Sequence, residues 1–531
     1  MNKYCAKATG RMGRIAVGFF LAVLIGFVTP QYGFASNLLS NPGFDLDAPG
    51  HSPNVLGWQS YSPNAYNETD VTVAHSGSNY FKVYQSFNGI VNYNGVFQDY
   101  ISGPGATYSA DGWVYAKSTD TPAGQNAVWL EVTFRDAAGN ILGLYRSAVI
   151  TTNSLANGTF PKNQWNYMPV TNQFDLTTFQ LAGSTPTLVA PPGTSFVRYQ
   201  IVFQGDAANS GGSAYFDDLN LNQVAGAPYG DMNIVWSDEF NGSSIDHSIW
   251  TYDTGNNGWG NNELENYTSS TNNSFVANGY LHIVARNTSG FTSARLKSQG
   301  LFSPKYGRFE WRAKLPQGVG MWPALWMLGT NFTSINWPGC GEIDVTEANG
   351  TTPGTVQGSL HSGSDETAIY NFIGGDSVTN FHTYTLDWAT NAILFYVDGH
   401  LYESQTNWSG PVASYPFPFN QPFFLLMNLA VGGNYVGNPT SAQINAGTTF
   451  PAEMLLDYVR IYNSTNPLQL AIEPTGANLL LSWPNDIVCH LQVQTNFSSA
   501  LGSPWLPVTT VTNQLQITPG TGNAFYRLVS P

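Results

Sequence analysis

The hexapeptide Glu342-Ile343-Asp344-Val345-Thr346-Glu347 constrains this chain more than any other stretch. Ile343 and Val345 are residue types that favour a packed strand. A straight strand puts Glu342, Asp344 and Thr346 on one face and Ile343, Val345 and Glu347 on the other. Glu347 would then enter an apolar core, at a cost of several kcal/mol for an unpaired ion. One extra residue between Asp344 and Glu347 removes the conflict. The sequence therefore predicts a β-bulge that turns Glu347 to the face of the other two acids.

The surroundings agree with a strand. In "FEWRAKL", Phe309, Trp311, Ala313 and Leu315 alternate with Glu310, Arg312 and Lys314, the pattern of a strand with one buried face. "ILFYVDGHLY" reads as a hairpin turning at Asp398-Gly399, and "YLHIVAR" and "EMLLDYVRIY" as further strands. Aromatic residues make up 14% of the chain against 10% charged, with 54 Gly and 31 Pro, a balance typical of extracellular all-β proteins. With no long amphipathic helix in sight, the expected fold is all-β, built from antiparallel sandwiches.

At the N-terminus Lys3, Lys7, Arg11 and Arg14 precede an apolar run from Ile15 to Val28, and Gly33-Phe34-Ala35 supplies small residues for cleavage. The run has the length of a signal peptide and is short for a membrane span. Export is expected, with no membrane attachment once residues 1–35 are removed. Their loss takes four of 19 basic groups and no acidic ones, leaving 15 against 34 and a net charge of −19. That charge disfavours nucleic acid, anionic membrane and strongly acidic polysaccharides as partners. Cys5 leaves with the signal, and Cys340 and Cys489 fall in different blocks, so no disulfide framework is expected. Three β-rich blocks follow, at 36–224, 225–463 and 464–531, with "AGAPYGDMN" as a linker between the first two.

Glu342 and Glu347 lie roughly 13 Å apart at Cα if the strand rises about 3.3 Å per residue. Side chains leaning together can approach the ~5–5.5 Å of a retaining glycosidase. Three like charges on one strip cannot all ionise cheaply, so at least one pKa should rise, as a general acid near neutral pH requires. A solvated strand face or a calcium site are the competing readings of the hexapeptide alone. "GMWPALWML" and Trp337 bring three tryptophans close to the acids, and sugar rings stack their C–H faces on such platforms. Core packing is the alternative for each tryptophan.

"GEIDVTE", "LPQGVGMWPALWML", "GWGNNELENYT", "MNLAVGGNY" and "FPAEMLLDYVRIY" together resemble glycoside hydrolase family 16, most nearly its laminarinase branch, which cuts β-1,3-glucan internally. The likeness covers about 230 residues, read motif by motif along the chain. It implies a concanavalin-like jelly-roll sandwich with a concave substrate-binding sheet. By position it implies Glu342 as nucleophile, Glu347 as general acid/base and Asp344 as the assisting carboxylate. Trp322, Trp326 and Trp337 would line sugar subsites, and Asn262, Glu263 and Arg295 match polar cleft positions. The spacing E-x-D-x-x-E separates this chain from branches without the bulge, such as lichenases. Thr346 and Cys340 depart from the laminarinase pattern, which leaves linkage preference open.

Pairing of the acid strand with "GSLHSG" around residue 352 places His361 opposite Ile343, near Glu342. Asp457 shares strand parity with Leu455, Val459 and Ile461, so a carboxylate would sit among aliphatic side chains unless a bound cation or hydrogen bonds receive it. The resemblance implies a structural calcium held by Glu239, the Gly279 carbonyl and Asp457, with no cofactor for the chemistry.

"NLLSNPGFD" and "AYFDDLNL" bracket the first block and resemble carbohydrate-binding modules of the family 4/9/22 group. Trp58, Tyr61, Tyr80, Trp113 and Trp129 are its candidate platforms, with core packing accounting for at least half of them, and Asp217 or Asp218 its candidate calcium ligands. Residues 464–531 resemble a small fibronectin- or immunoglobulin-like sandwich of unknown role. The expected molecule is a secreted, monomeric endo-β-1,3-glucanase acting on neutral polysaccharide. Agarase- or carrageenase-like activity, transglycosylation and glucan binding without catalysis are the alternatives.

Overall fold

A computed structural model describes residues 37–46, 55–69, 72–225 and 229–464, together with strand segments within 471–529. The expected signal segment and Cys489 lie outside the described residues. The middle block is a β-sandwich. One of its sheets has seven strands, numbered here in chain order: β1 Thr251–Asp253, β2 Arg295–Lys297, β3 Met321–Gly329, β4 Glu342–Glu347, β5 Thr355–His361, β6 Asp365–Asn371 and β7 Phe423–Val431. Their spatial order is β1-β2-β7-β3-β4-β5-β6. The facing sheet runs Tyr280–Asn287, Ala452–Ser464, Gly307–Lys314, His382–Trp388, Ile393–Val397 and His400–Gln405.

Alternation explains why the two sheets meet. Ile343 and Val345 on β4 point into the sandwich, where they share one core with Phe309, Trp311 and Ala313 of the facing sheet. Ile343, Val345 and Phe309, fully buried, each contribute about 1.5–3 kcal/mol. The hairpin turns at Asp398 and Gly399, whose φ angles of 49° and 83° match the two left-handed positions of a type I′ turn.

The other face of the "FEWRAKL" strand is solvated only at one end, where Arg312 is half-buried and Lys314 exposed. Arg308 and Glu310 are buried beneath the first block. Arg308 donates from Nη1 to the Ser102 carbonyl (2.7 Å) and from Nη2 to the Ser195 carbonyl (3.1 Å), while also pairing with Asp387 at 2.7 Å. Glu310 accepts from the hydroxyls of Tyr458 (3.0 Å), Tyr462 (3.2 Å) and Tyr229. Tyr229 belongs to the expected linker, and here it is a buried plug rather than part of a tether. The first block joins the facing sheet edge to edge: Tyr100 pairs with His400, and Ile101 N–H donates to the Gly399 carbonyl at 2.7 Å.

That first block is itself a two-sheet sandwich around Phe44, Phe81, Val114, Leu130 and Phe216. Trp58 is a core side chain, whereas Tyr80 and Trp129 are buried outside the core, donating to Glu68 and Glu131 at 3.0 Å each; Trp113 stacks on the His75 ring at 4.1 Å, and Tyr61 is exposed. The described strands of 464–531 form two three-stranded antiparallel sheets.

Candidate active site

The bulge falls where the charge pattern requires it. Asp344 lies opposite Trp326 on β3 and Ser359 on β5, whereas Glu347 lies opposite Ala324 and Gln357. Register shifts by one between Asp344 and Glu347 on both sides of β4, and Val345 has no cross-strand partner. All three acids therefore open onto the same cleft, with Trp322, Trp326, Trp337, Asn428 and Tyr435 among its walls. They occupy three successive transverse rows of the sheet. The Glu347 row crosses all seven strands through Asp253, Arg295, Asn428, Ala324, Glu347, Gln357 and Ile369.

The bulge also corrects the position of His361. Before the extra residue the pairing is one step out of phase with that after it, so His361 faces Glu342, not Ile343. Its Nε2 lies 3.0 Å from Asp344 Oδ2 and its Nδ1 2.7 Å from Asp365 Oδ1. Burial opposes a charge on this ring, but the hydrogen bonds to Asp344 and Asp365 outweigh it and push the pKa up to about 10. Both ring nitrogens of His361 thus face carboxylate oxygens, which favours the protonated ring. Glu342, Asp344 and His361 offer ligand atoms within 4.8 Å of one another. With both His361 nitrogens turned to carboxylates, a protonated ring balances charge in this cluster, and in that form it would have no lone pair for a metal.

Burial is the first cause acting on each acid. It raises Glu342, with the Asp344 charge adding to it while His361 and Arg295 oppose. It raises Asp344 too, against the His361 hydrogen bond. Glu347 is pushed up to about 8 by burial and then by Asp344, and the Trp322 indole N–H, donating to Glu347 Oε1 at 2.8 Å, pulls the other way. The strip therefore holds a proton at neutral pH, shared among coupled carboxyls.

A second carboxyl pair lies further along the cleft. Glu263 accepts from Tyr267 Oη (2.9 Å), Asn428 Nδ2 donates to that same hydroxyl (3.0 Å), and Trp326 Nε1 donates to Asn428 Oδ1 (2.7 Å). Behind them Glu265, fully buried, accepts from Val431 N–H at 2.6 Å through Oε2. Its Oε1 meets no donor, and its neighbour is the Glu263 carboxyl. A proton on Glu265, donated to Glu263, satisfies both groups. Burial and then the Glu263 charge hold the Glu265 pKa up at about 9.

Residues 261–448 match the family model described as glycosyl hydrolases family 16. The chain is 42% identical over 245 residues to a beta-glucanase of Rhodothermus marinus, covering 43% of this chain and 84% of that protein. It is 35% identical over 249 residues to a glucan endo-1,3-beta-glucosidase of Cryptopygus antarcticus, covering 42% of this chain and 91% of that one. The chain belongs to glycosyl hydrolases family 16. Glucan endo-1,3-beta-glucosidase A1 of Niallia circulans is 39% identical over 300 residues, of which the chain spans 43% of the whole length.

Within the family match lie all three acids, the three tryptophans, His361 and Arg295. Trp322 and Trp326 are buried as walls and hydrogen-bond donors, whereas Trp337, 56% exposed, offers its face beside the His361 ring. Arg295 pairs with Asp253 at 3.0 Å and lies over the Trp259 and Trp326 rings at 4.9 and 4.7 Å. Asn262 is not in the cleft wall. Its φ of 58° turns it aside to Asn434 (2.8 Å), and Asn261 lines the cleft instead. Trp259, Glu265, Asn428 and Tyr435, which sequence reasoning passed over, sit inside motifs quoted for the resemblance, the first two in the same motif as Asn262 and Glu263.

The two carboxylates of the implied calcium set have arginine partners. Arg460 grips Glu239 with two bonds of 2.9 and 2.8 Å, and Arg312 Nη1 holds Asp457 Oδ2 at 2.5 Å. Asp457 does not sit among aliphatic side chains. A second bulge, opposite Arg312 and Ala313, leaves it without a cross-strand partner and turns it out beside Arg312. In the first block Asp217 accepts from the His75 and Ser76 N–H groups, and Asp218 from the Ser76 hydroxyl. As placed, neither set presents free carboxylates to a cation.

Proposed function

We propose that this glycoside hydrolase is an exported, retaining endo-enzyme that cuts neutral β-1,3-glucan. The observation that carries the reading is the bulged strand β4, which delivers Glu342, Asp344 and Glu347 to one aromatic-walled cleft. The relatives from Niallia circulans and Cryptopygus antarcticus, both named as glucan endo-1,3-beta-glucosidases, support the linkage.

On this reading the Glu347 carboxyl donates its proton to the leaving oxygen as the glycosidic bond breaks. A Glu342 oxygen bonds to the anomeric carbon. The Glu347 carboxylate then takes a proton from water, whose oxygen displaces Glu342 and restores the original configuration. The proton partitions this way for a physical reason. His361 opposes a proton on both glutamates, Arg295 opposes one on Glu342, and positive charge developing at the anomeric carbon lowers the proton affinity of Glu342 further. Asp344, facing His361 at 3.0 Å, lies between the two.

A hydrolysis panel of laminarin, mixed-linkage glucan, agarose and carrageenan tests the substrate, with NMR of the first product anomer testing the stereochemistry. Laminarin cleavage with retained configuration is expected, and Glu342→Gln should bind glucan without turnover. Cleavage of agarose or carrageenan but not laminarin overturns the linkage, and an inverted first product overturns the double displacement.

Export rests on residues 1–35, and N-terminal sequencing of culture supernatant should find a chain beginning near Ser36. No helix among the described residues is long and apolar enough to cross a membrane. A monomer is proposed, to be checked by light scattering. A structural calcium at Glu239, Gly279 and Asp457 is proposed only in competition with Arg460 and Arg312.

A further inference from the structure

We propose that the groove between the first block and β6 is a distal glucan-binding site that continues the catalytic cleft. It encloses about 430 Å³ between the loop at 55–59, the strand Val96–Ile101 and the edge strand β6. The proposal rests on the β-1,3-glucan reading above.

Three observations carry it. Register makes the two sites neighbours: Glu347, Gln357 and Ile369 are direct cross-strand partners, so their side chains share a face. The catalytic wall contains Glu347 and Gln357, while Ile369 lines the groove. At about 4.8 Å per strand, Ile369 is roughly 10 Å across the sheet from the acid/base. A chain crossing the strands and leaving over β6 runs straight into the groove.

The lining suits an uncharged sugar. Leu56 and Ile369, 43% and 58% exposed, present apolar surface, and Gln59 and Asn371 present exposed amides. The charge that lines it is cancelled, because Arg198 grips Asp99 with two bonds of 2.7 Å. Burial holds the His400 pKa down at about 4, so that ring, bonded to Ser40 Oγ at 3.0 Å, is neutral.

The walls are fixed. The Ile101–Gly399 bond and the Arg308 bonds to Ser102 and Ser195 lock the first block to the sandwich. Gly57, at φ 82°, lets its loop approach so closely that an added Cβ would lie 3.3 Å from Ile373 Cδ1.

The test uses the full chain with Leu56→Asp and Ile369→Asp, one from each wall. The readout is the ratio of kcat/KM for long β-1,3-glucan to that for a short oligosaccharide. Each substitution should lower the ratio about five- to tenfold, the loss of one apolar contact with a sugar ring. Ratios within twofold of the unsubstituted chain overturn the groove. Independently of any misfolding, the Glu342→Gln chain should show amide-exchange protection at residues 55–59 and 369–373 with long glucan and not with short. Absence of that protection also overturns it. An unsubstituted chain that cuts no β-glucan at all overturns the functional reading, and the groove with it.

Discussion

Glu265→Gln isolates the buried carboxyl pair. The unfolded chain gives up the Glu265 proton near pH 4.5, its ordinary value, whereas the folded chain keeps it to about 9. Between those limits folding takes up one proton, so stability falls as pH rises, by about 1 kcal/mol per unit. At pH 7 the accumulated cost is about 3 kcal/mol, and at pH 4 it is absent. A glutamine at 265 does not titrate. Its carbonyl can still accept from Val431 N–H, and its amide can donate to Glu263 where the proton did. The variant should therefore match the parent near pH 4.5 and gain on it steadily up to pH 8. In thermal melts at pH 5, 6, 7 and 8 the Tm gap should widen by about 2–4 °C per unit, the usual conversion for a domain of this size. A gap that stays constant across the series refutes the reasoning, because Glu265 would then ionise alike in both states.

Trp322→Phe removes the N–H that favours ionised Glu347, so the Glu347 pKa should rise and the basic limb of the kcat/KM profile should move up by about one unit; a limb that stays in place or moves down refutes the contact. Arg308→Met strands Asp387 and two carbonyls of the first block, and should cost about 3–5 kcal/mol in chemical denaturation. A loss below about 1 kcal/mol would mean the blocks are not held there. A calcium chelator should lower Tm only if the cation displaces Arg312 from Asp457 and Arg460 from Glu239; a calorimetric scan unchanged by chelator leaves the arginines as the holders.

Most of the sandwich was legible because alternation and turn chemistry are local. Phe309, Trp311 and Ala313 went into the core and Asp398-Gly399 turned the hairpin as the pattern requires. What the pattern could not carry was burial imposed from far along the chain. Arg308 and Glu310 occupy the face that alternation assigns to solvent, and they are buried because Ser102, Ser195 and Tyr229 come from the preceding block. Likewise Trp58 looks like a sugar platform in sequence, and only the sandwich core accounts for it.

Two carboxylates, Glu347 and Asp457, pose the same problem in sequence, and the molecule answers both the same way. Each shares parity with aliphatic residues on a strand, and each is turned out of the core by a bulge. At Glu347 the energetic conflict was read as a backbone irregularity, and the cleft followed from it. At Asp457 the same conflict invited a cation, yet Leu456 and Val459 both face the core with Asp457 and Tyr458 between them, a spacing that only an extra residue allows. Burying a neutral carboxyl costs less than burying a charge, and a bulge removes the need for either. His361 measures how far that economy reaches. A single inserted residue sets it opposite Glu342, where its charge can bear on the acids, and a straight ladder would have carried it one place along, opposite Ile343.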